Sequence, residues 1–340
     1  MAATGLVIGK FLPFHHGHQH LIETAARSVD ELVVIVCSAA WHEIPVELRA
    51  EWIAESFPRA RVVVIDQEER GLGEDGTEAW AAATLDTLGR RPDVVFTSED
   101  YGPGYAREMG AEHVMVDRER AVVPVSGTEI RERPLAHLHL LSPQVRAHYA
   151  LRVCVVGAES TGKTTLARDL AGHYGVPFVS EFGRWYCEAM PAPTRYRWTT
   201  EDFRTIARIQ DRFEDDTARW VGPLLVCDTN SFVTSVFHEA YLGRRDARLE
   251  AEATARRYDV LLLCGEETRF VQDGTGLRHE GEPRRRMQER YVRYLEEGGR
   301  DFARVKGTRS ERLLTAVETV DPLLAQGGAA AMTGRAVSLR

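Results

Sequence analysis

The chain has 340 residues, of which 44% are hydrophobic and 28% are charged, and its net charge at pH 7 is −8. This is the composition of an ordinary globular protein, and the length suggests about two domains. The acidic balance argues against broad binding to nucleic acid, which needs a basic surface, but not against nucleotide substrates, whose phosphates need only a local positive site.

The cysteines indicate the compartment. They are odd in number and form no C-x-x-C pair: Cys37, Cys154, Cys187, Cys227 and Cys264. All except Cys187 lie in or beside apolar runs, so we expect reduced thiols that are mostly in the core. No apolar run approaches the length of a membrane span, and the strand predicted at 5–8 leaves no room for a signal peptide. We therefore expect a cytosolic protein without a membrane partner.

The first predicted strand, residues 5–8, leads into a loop with His15, Gly17 and His18, and a helix is predicted over 19–27. Imidazoles at the start of a helix, with Lys10 nearby, form an anion site, because a histidine can stabilise charge that develops on a phosphate. Most lone histidines are structural, and four in six positions are also compatible with metal binding. A zinc site would need further ligands, however, and no H-E-x-x-H occurs.

Residues 9–18 read G-K-F-L-P-F-H-H-G-H and resemble the signature of the nucleotidyltransferase superfamily with an HIGH-type motif. The resemblance implies a Rossmann-like domain in which the α-phosphate of a nucleoside triphosphate is attacked. It implies that His15 and His18 bind and activate the triphosphate. It also places Gly9, Lys10 and Phe11 at the ATP site.

Strands and helices alternate up to residue 117, which indicates a parallel α/β sheet. We predict strands over 31–38, 61–66, 93–96 and 113–117, and helices over 45–57 and 77–88. Residues 97–102 follow the end of a strand, where ligands lie in open α/β sheets. They also resemble the S-S-E-x-Y-G loop that lies near the adenosine in this superfamily, which implicates Ser98 and Glu99.

Four large side chains of this domain are candidates for a flat pocket that holds an aromatic base: Trp41, Arg49, Trp52 and Trp80. Core packing is the commoner role of any single tryptophan. Among the four, we predict that Trp41, Arg49 and Trp52 bind the substrate.

Residues 125–131 contain a second motif. Ser126 and Glu129 form S-x-x-E, a capping box that predicts the start of a helix, and a helix start is also an anion site. The segment resembles the I-S-x-T-x-I-R element of the same superfamily, which implies that Ser126, Thr128 and Arg131 hold the triphosphate. We place the first domain at residues 1–142, and a linker without strong periodicity at 143–150.

Residues 157–164 fit G-x-x-x-x-G-K-[ST], the phosphate-binding P-loop, between an apolar strand at 153–156 and a helix at 166–170. The backbone N–H groups and the positive end of the helix stabilise polyphosphate. Lys163 adds charge for the β/γ-phosphates, and the Thr164 hydroxyl can hold Mg²⁺. An ordinary glycine turn is the alternative. The candidate ATP-binding residues are Gly157, Glu159, Ser160, Thr161, Gly162, Lys163, Thr164 and Thr165.

Two carboxylates follow predicted strands of this second domain, 151–327. Glu181 follows a strand at 176–179 and is a candidate general base, with a salt bridge to Arg184 as the alternative interpretation. Asp228 ends a strand at 224–227 and fits a Walker-B-like aspartate that holds Mg²⁺. Whether Glu181 or Asp228 is the base stays open. A helix is predicted over 201–217 and a strand over 259–264.

The segment after that last strand is rich in glycine and arginine. It contains D-G-T-G-L-R at 273–278, followed by Arg284, Arg285 and Arg286. Such a segment is suited to a lid over phosphates, with Arg278 as a candidate ligand of ATP. A solvated basic loop is the commoner alternative. Residues 328–340 are small and polar, and we expect a flexible tail.

The motifs S-E-F-G-R, L-V-C-D-T-N and D-G-x-x-L-R resemble the ribosylnicotinamide kinase domain of NadR-type proteins, which fuse it to a nicotinamide-mononucleotide (NMN) adenylyltransferase in this order. The resemblance implies phosphorylation of nicotinamide riboside to NMN, and adenylyl transfer to NMN that gives NAD and pyrophosphate. ATP would be the co-substrate and Mg²⁺ the metal at both sites. Arg184, Trp185 and Tyr186 are implicated in substrate binding. Asn230 departs from the aspartate of the family's D-T-D.

The sequence therefore predicts an α/β protein with a Rossmann-like HIGH-type nucleotidyltransferase domain followed by a P-loop kinase domain, both with parallel sheets. A fusion acting on another vitamin precursor is one alternative. A nucleotide-sensing regulator with degenerate sites is another, although the intact His15, His18, Lys163 and Thr164 count against it. Some relatives carry an N-terminal helix-turn-helix and act as repressors, but this chain starts at the catalytic strand, so we expect no nucleic-acid partner. The oligomeric state, a homo-oligomer included, is left open.

Overall fold

The computed structural model of the protein describes residues 3–73, 76–190, 193–272 and 280–326. The chain forms two compact units, residues 1–145 and 146–340. Each unit is built around a parallel sheet with helices, so the predicted fold class is confirmed.

The first unit contains a five-stranded sheet with the strand order β3-β2-β1-β4-β5, in which every pairing is parallel. Its strands are β1 (Thr4–Gly9), β2 (Glu31–Ser38), β3 (Arg61–Asp66), β4 (Val94–Thr97) and β5 (Glu112–Met115). Its helices are α1 (His16–Ser28), α2 (Val46–Ser56), α3 (Thr77–Leu88), α4 (Gly102–Met109) and α5 (Gly127–Glu132), followed by a 3-10 helix (Pro134–Leu140).

Strand β1 is central because its apolar run is buried on both faces, between β2 and β4. The chain order reverses between β1 and β4. Ligands of open α/β sheets bind at such a reversal, beyond the carboxyl ends of the strands. The segment after β1, which carries the histidine motif, begins at this point.

The second unit has a five-stranded parallel sheet with the order β10-β9-β6-β8-β7. Its strands are β6 (Leu151–Val156), β7 (Phe178–Val179), β8 (Leu224–Asp228), β9 (Val260–Cys264) and β10 (Ala303–Val305). The helices α6 (Pro143–Tyr149), which begins before the boundary at residue 145, α7 (Lys163–Tyr174), α8 (Phe182–Glu188) and α9 (Thr200–Ala218) come first, with a 3-10 turn at Pro193–Arg195. The helices α10 (Ser231–Leu242), α11 (Ala247–Ala255), α12 (Glu282–Glu297) and α13 (Arg309–Ala325) follow.

The predicted strands and helices are present, with bounds that differ by a few residues. The linker predicted at 143–150 is ordered: α6 occupies most of it, and Val145 is fully buried. Arg284, Arg285 and Arg286 belong to α12, and Arg284 is buried. That the segment acts as a lid over phosphates stays a prediction. The D-G-T-G-L-R segment, with Arg278, and the predicted tail lie outside the described residues.

Within the described ranges, no helix is long and apolar enough to cross a membrane. All five cysteines fall in those ranges and are free thiols, four of them buried and Cys187 half-buried. The buried ones belong to strands β2, β6, β8 and β9.

Candidate active sites

A cleft of about 930 Å³ opens in the first unit. The loop after β1, the start of α1, the end of β4 and the start of α5 all contribute to its lining. Of the residues predicted from sequence, the lining includes Gly9, Lys10, Phe11, His15, His18, Trp41, Trp80, Ser98, Glu99, Ser126, Thr128 and Arg131. The two motifs from opposite ends of this domain therefore meet in one cavity.

The two motif histidines are stacked on each other at the start of α1. Their ring centroids are 3.8 Å apart. His15 caps the helix, since its Nδ1 accepts a hydrogen bond of 3.1 Å from the Gly17 N–H. Because Nδ1 is an acceptor, the neutral ring carries its hydrogen on Nε2, where it can donate to an anion.

Both rings are uncharged at neutral pH. Burial, with smaller contributions from Arg120 and His16, lowers the pKa of His15 to about 4. Burial and the neighbouring His15 lower the pKa of His18 well below its usual range, and a hydrogen bond with the Pro13 backbone opposes this only in part. Each neutral ring has one N–H group that can donate a hydrogen bond to a phosphate.

These histidines make stability depend on pH. The folded pKa of His15, about 4, lies below the 6.5 of an unfolded chain, so between these values only the unfolded state takes up the proton. Stability should therefore fall as pH falls from 6.5 towards 4. We expect His15→Asn to reduce the drop in melting temperature between pH 7 and pH 5, measured by circular dichroism. His139→Gln, which changes an exposed histidine of the same unit, should leave the drop unchanged, and equal drops in all three proteins would contradict the prediction.

The second motif forms the predicted capping box. Ser126 Oγ accepts a hydrogen bond of 3.2 Å from the Glu129 N–H, and the Ser126 N–H donates to Glu129 Oε2 over 2.8 Å. Arg131 joins the two motifs, since its guanidinium donates to the Leu12 carbonyl and, over 3.2 Å, to Thr128 Oγ1. A Cβ at Gly127 would lie 2.6 Å from the Leu12 oxygen, so only glycine permits this approach.

The structure corrects the predicted aromatic pocket at two positions. Arg49 is fully buried, and its guanidinium donates to the carbonyls of Ile44, Cys37 and Lys10. Trp52 is 3% exposed and does not line the cleft. Both point inward because α2 packs against β2 and β3, so they stabilise the unit and do not reach a ligand. Trp41 and Trp80 do line the cleft and remain candidates for contact with a base. Trp41 is 53% exposed, and Lys10 Nζ lies 4.6 Å from its ring centroid.

Arg120 is a charged cleft residue that was not predicted. It lines the cavity, and its Nη2 lies 3.5 Å from Glu99 Oε1. Its backbone has a φ of 52°, in the left-handed region. It falls in an irregular segment between β5 and α5, where no periodicity or motif singles it out.

In the second unit, the P-loop joins β6 to α7. Its shape depends on left-handed backbone at Gly157 (φ 140°), Ser160 (φ 56°) and Gly162 (φ 85°). A Cβ at Gly157 would lie 3.0 Å from the Cys264 carbonyl oxygen. Lys163 is 9% exposed, and its Nζ donates to the Ala158 carbonyl over 2.9 Å. The loop has therefore the strand, glycines and helix start that phosphate binding requires.

Two buried arginines hold the P-loop from outside, and we call this pair the arginine clamp. Arg284, on α12, donates to the carbonyls of Glu159 and Ser160 over 3.1 and 3.0 Å. Arg312, on α13, donates to the Thr161 carbonyl over 2.6 Å and to the Gly265 carbonyl over 3.2 Å. With three successive carbonyls bound outside, the loop keeps the conformation in which its N–H groups remain available to an anion.

We expect the clamp to position the loop. Arg312→Gln removes donors from buried carbonyls, which costs roughly 1–3 kcal/mol for each group left unpaired, so the affinity for ATP in the second unit should fall and the melting temperature should decrease. Arg312→Lys, which keeps the charge but not the fork of donors, should be impaired almost as much. Isothermal calorimetry with ATP measures the affinity. Arg309→Gln, an exposed arginine paired with Asp169, is the control; equal losses there would argue against a specific clamp.

The predicted metal-binding pair is brought together. The Thr164 hydroxyl hydrogen-bonds to the Asp228 carboxylate, and Asp228 is 1% exposed. Burial first, and then the negative Glu181, raise the pKa of Asp228 to about 6. Asp228 Oδ1 has no hydrogen-bond partner among the described residues. A carboxylate oxygen and a hydroxyl are the hard ligands that Mg²⁺ takes in a nucleotide site, so these residues fit the ion.

The described residues contain no group of three or more His, Cys, Asp or Glu that could hold a metal ion. Glu181 Oε2 lies 4.0 Å from Arg184 Nε, a loose ion pair that leaves the carboxylate accessible. Glu181 follows β7 and Asp228 ends β8, and these two strands are adjacent and parallel. Both candidate bases therefore lie at the carboxyl edge of the sheet.

A pocket of about 100 Å³ adjoins these carboxylates. One part of its lining is polar and includes Glu159, Lys163, Glu181, Arg184, Gln210 and Thr229. Another part is aromatic and includes Trp198, Phe203, Phe237 and Tyr241. Such a combination suits a ligand with a flat ring and a polar, phosphorylatable end.

Two predicted substrate residues, Trp185 and Tyr186, do not border this pocket, and their role in substrate binding stays a prediction. Trp185 is 52% exposed and packs its ring edge on Phe213, and the Tyr186 hydroxyl donates to Asp202 over 2.7 Å. Neither residue lines the pocket. The aromatic lining residues were missed because Phe203, Phe237 and Tyr241 occupy helical positions that read from sequence as ordinary core. Trp198 carries no local motif.

The similarities to known proteins also divide the chain into two parts. Residues 6–133 match the model of a family described as cytidylyltransferase-like, and residues 152–312 match the model of an AAA domain. The trifunctional NAD biosynthesis/regulator protein NadR of Escherichia coli strain K12 is 28% identical over 342 residues, which cover 95% of this chain and 83% of that protein. The protein of the same name from Salmonella typhimurium strain LT2 is also 28% identical, with coverages of 95% and 84%.

A nicotinamide-nucleotide adenylyltransferase of Halorubrum lacusprofundi is 51% identical over 35 residues, which are 10% of this chain and 20% of that protein. Among solved structures, a NadR protein in complex with NR superposes with a TM-score of 0.76 at 22% identity, covering 94% of this chain and 95% of the other. A NadR protein in complex with NAD and AMP-PNP gives a TM-score of 0.74 at 22% identity, with coverages of 95% and 96%. These likenesses establish the fold.

Proposed function

We propose that the chain, which is 28% identical to NadR proteins over 95% of its length, is a bifunctional enzyme of NAD salvage. The second unit phosphorylates nicotinamide riboside with ATP, and the first unit joins the resulting NMN to the AMP part of a second ATP. The observation that carries the proposal is that each set of motif residues converges on a cavity of its own, one in each unit.

In the kinase reaction, the 5′-hydroxyl of the riboside attacks the γ-phosphorus of ATP, the bond to the bridging oxygen breaks, and ADP leaves. Glu181 accepts the hydroxyl proton, with Asp228 as the second candidate. The P-loop N–H groups and Lys163 hold the β- and γ-phosphates, for which Lys163 leaves the Ala158 carbonyl. The aromatic lining of the pocket receives the nicotinamide ring.

In the adenylyl transfer, a phosphate oxygen of NMN attacks the α-phosphorus of ATP, and pyrophosphate leaves. Neutral His15 and His18 donate hydrogen bonds to the triphosphate and stabilise the charge that builds up on it. Ser126, Thr128 and Arg131 hold the phosphates that depart. Lys10, Ser98 and Glu99 line the same cleft and contact the nucleotide, and Trp41 offers an exposed ring to an aromatic base.

We assign Mg²⁺ to the kinase site, where Thr164 and Asp228 would hold it, and the ion supplies charge that neutralises the phosphates. We place the nucleotidyltransferase domain at residues 1–142 and the kinase domain at 151–327, joined by 143–150. The reduced cysteines favour the cytosol as the compartment.

The test is incubation of the purified protein with ATP, Mg²⁺ and a panel of nucleosides and mononucleotides, with mass spectrometry of the products. We expect nicotinamide riboside to give NMN and then NAD, and NMN alone to give NAD. Conversion of a different vitamin precursor, with nicotinamide riboside untouched, would support the alternative fusion enzyme. No turnover with any member of the panel would support a nucleotide-sensing regulator.

A further inference from the structure

Thr229 has an unusual backbone. It directly follows Asp228 at the end of β8, and its φ is 89°, in a region that a β-branched residue rarely adopts. Both sides of it are fixed: its own N–H donates to the Val155 carbonyl over 3.2 Å, and Asn230 caps α10 by accepting a hydrogen bond of 3.0 Å from the Val233 N–H. The fold therefore maintains a strained conformation at this position, which is typical of functional sites.

The Thr229 side chain adds a second cost. The residue is 4% exposed, and its Oγ1 is buried without a hydrogen-bond partner among the described residues. A buried hydroxyl left unpaired destabilises the folded protein. Thr229 also lines the pocket beside Glu181 and Arg184. An unpaired hydroxyl at a pocket wall is what a hydrogen-bonding ligand would satisfy.

Two other polar groups of this pocket are already engaged. Gln210 Oε1 accepts from the Phe182 N–H over 2.9 Å, and Lys163 Nζ donates to the Ala158 carbonyl over 2.9 Å. Thr234, a second threonine in the lining, donates its hydroxyl to the Asn230 carbonyl over 3.4 Å. Thr229 thus differs from Thr234 in having its hydrogen-bonding capacity left for whatever enters the pocket.

We propose that Thr229 is a specificity-determining residue, whose hydroxyl hydrogen-bonds to a secondary hydroxyl of the sugar ring and so selects ribosides over deoxyribosides. The inference rests on the kinase half of the proposed function and goes beyond it, since it names the part of the substrate that is recognised. A hydrophobic pocket discriminates poorly against a missing or added hydroxyl. A site that must pair a buried polar group of its own discriminates strongly.

The test compares kcat/KM for nicotinamide riboside and for its 2′-deoxy and 3′-deoxy analogues, in the wild type and in Thr229→Val, Thr229→Ser and Thr234→Val. We expect the wild type to disfavour one deoxy analogue by about 10- to 100-fold or more. Thr229→Val should reduce that preference to a few-fold, mainly by lowering kcat/KM for the riboside. Thr229→Ser, which keeps the hydroxyl, should retain the preference, and Thr234→Val should retain it as well.

Thr229→Ala serves as a second deletion of the hydroxyl should the valine variant fail to fold, because alanine is smaller than threonine. An unchanged preference in a folded Thr229→Val or Thr229→Ala, while the wild type phosphorylates nicotinamide riboside, overturns the inference and leaves the proposed function standing. Equal loss of preference in Thr234→Val also overturns it, since the effect would then be general to the pocket. Absence of riboside phosphorylation in the wild type overturns both.

Discussion

Lys163→Ala is expected to abolish the phosphorylation of nicotinamide riboside while the same variant still makes NAD from NMN and ATP. The substitution removes the charge that meets the β- and γ-phosphates in the P-loop. His18→Ala should do the reverse: NMN accumulates from the riboside, and NAD does not form. The loss at each mutated site should be about 10²-fold or more, the scale for removing one preorganised donor to developing charge.

The expectation follows from the separation of the two sets of residues. Lys163 lines a pocket whose members all belong to the second unit, and His18 lines a cleft whose members all belong to the first. Product analysis by mass spectrometry, with each substrate supplied separately, measures both activities. Lys306→Ala and His139→Gln, both exposed positions, are the matched controls.

Three outcomes would contradict the assignment. Loss of both activities in both variants, with folding verified by circular dichroism, would indicate one composite site. Little turnover in any protein, the wild type included, would indicate a regulator. Full activity of Lys163→Ala on the riboside would show that the P-loop does not bind the reacting ATP.

The second large effect concerns the base of the kinase reaction. Glu181→Gln keeps the size and polarity of the side chain but cannot accept the riboside proton, so turnover should fall by about 10²-fold or more at every Mg²⁺ concentration. Asp228→Asn should instead raise the Mg²⁺ concentration needed for half-maximal turnover, because it neutralises the carboxylate beside Thr164. Steady-state kinetics over a Mg²⁺ series separates the two results. Glu188→Gln, at an exposed position of α8, is the control.

The Glu181→Gln variant also tests which of the two carboxylates is the base. Turnover of Glu181→Gln close to that of the wild type would move the role of base to Asp228. Burial raises the pKa of Asp228 to about 6 in the metal-free protein, so protons and Mg²⁺ compete for the carboxylate, and the Mg²⁺ concentration needed for half-maximal kinase turnover should rise as pH falls through 6. Adenylyl transfer, in the other unit, should not follow this rise.

The features of both sites that could be predicted from the sequence are those formed by residues that lie close together in the chain. The P-loop needs glycines with left-handed backbone within eight residues, and Ser126 and Glu129 form their capping box within four. Parallel strands can be predicted for a similar reason, since burial on two faces requires a continuous apolar run, as in β6 and β9.

The parts that were missed depend on contacts between residues far apart in the chain. Arg312 reaches a carbonyl 151 positions earlier, and nothing in its own helix distinguishes it from a surface arginine. Arg49 was assigned to the substrate as one of four large side chains that could form a flat pocket for an aromatic base, whereas its neighbours turn it towards backbone carbonyls. Trp198 and Trp185 have similar sequence surroundings, and only tertiary packing decides which of them borders the pocket.

The arginine clamp has a consequence for protein synthesis. The P-loop leaves the ribosome early, but the arginines that hold its carbonyls come from α12 and α13, the last helices of the described chain. Domains fold as they emerge, N-terminal first. The cleft of the first unit is complete while the second is still being translated, and the P-loop acquires its final support only when Arg312 has emerged. A nascent chain would thus gain the capacity for adenylyl transfer before the capacity for phosphorylation, the opposite of the order in which the two reactions use the substrate.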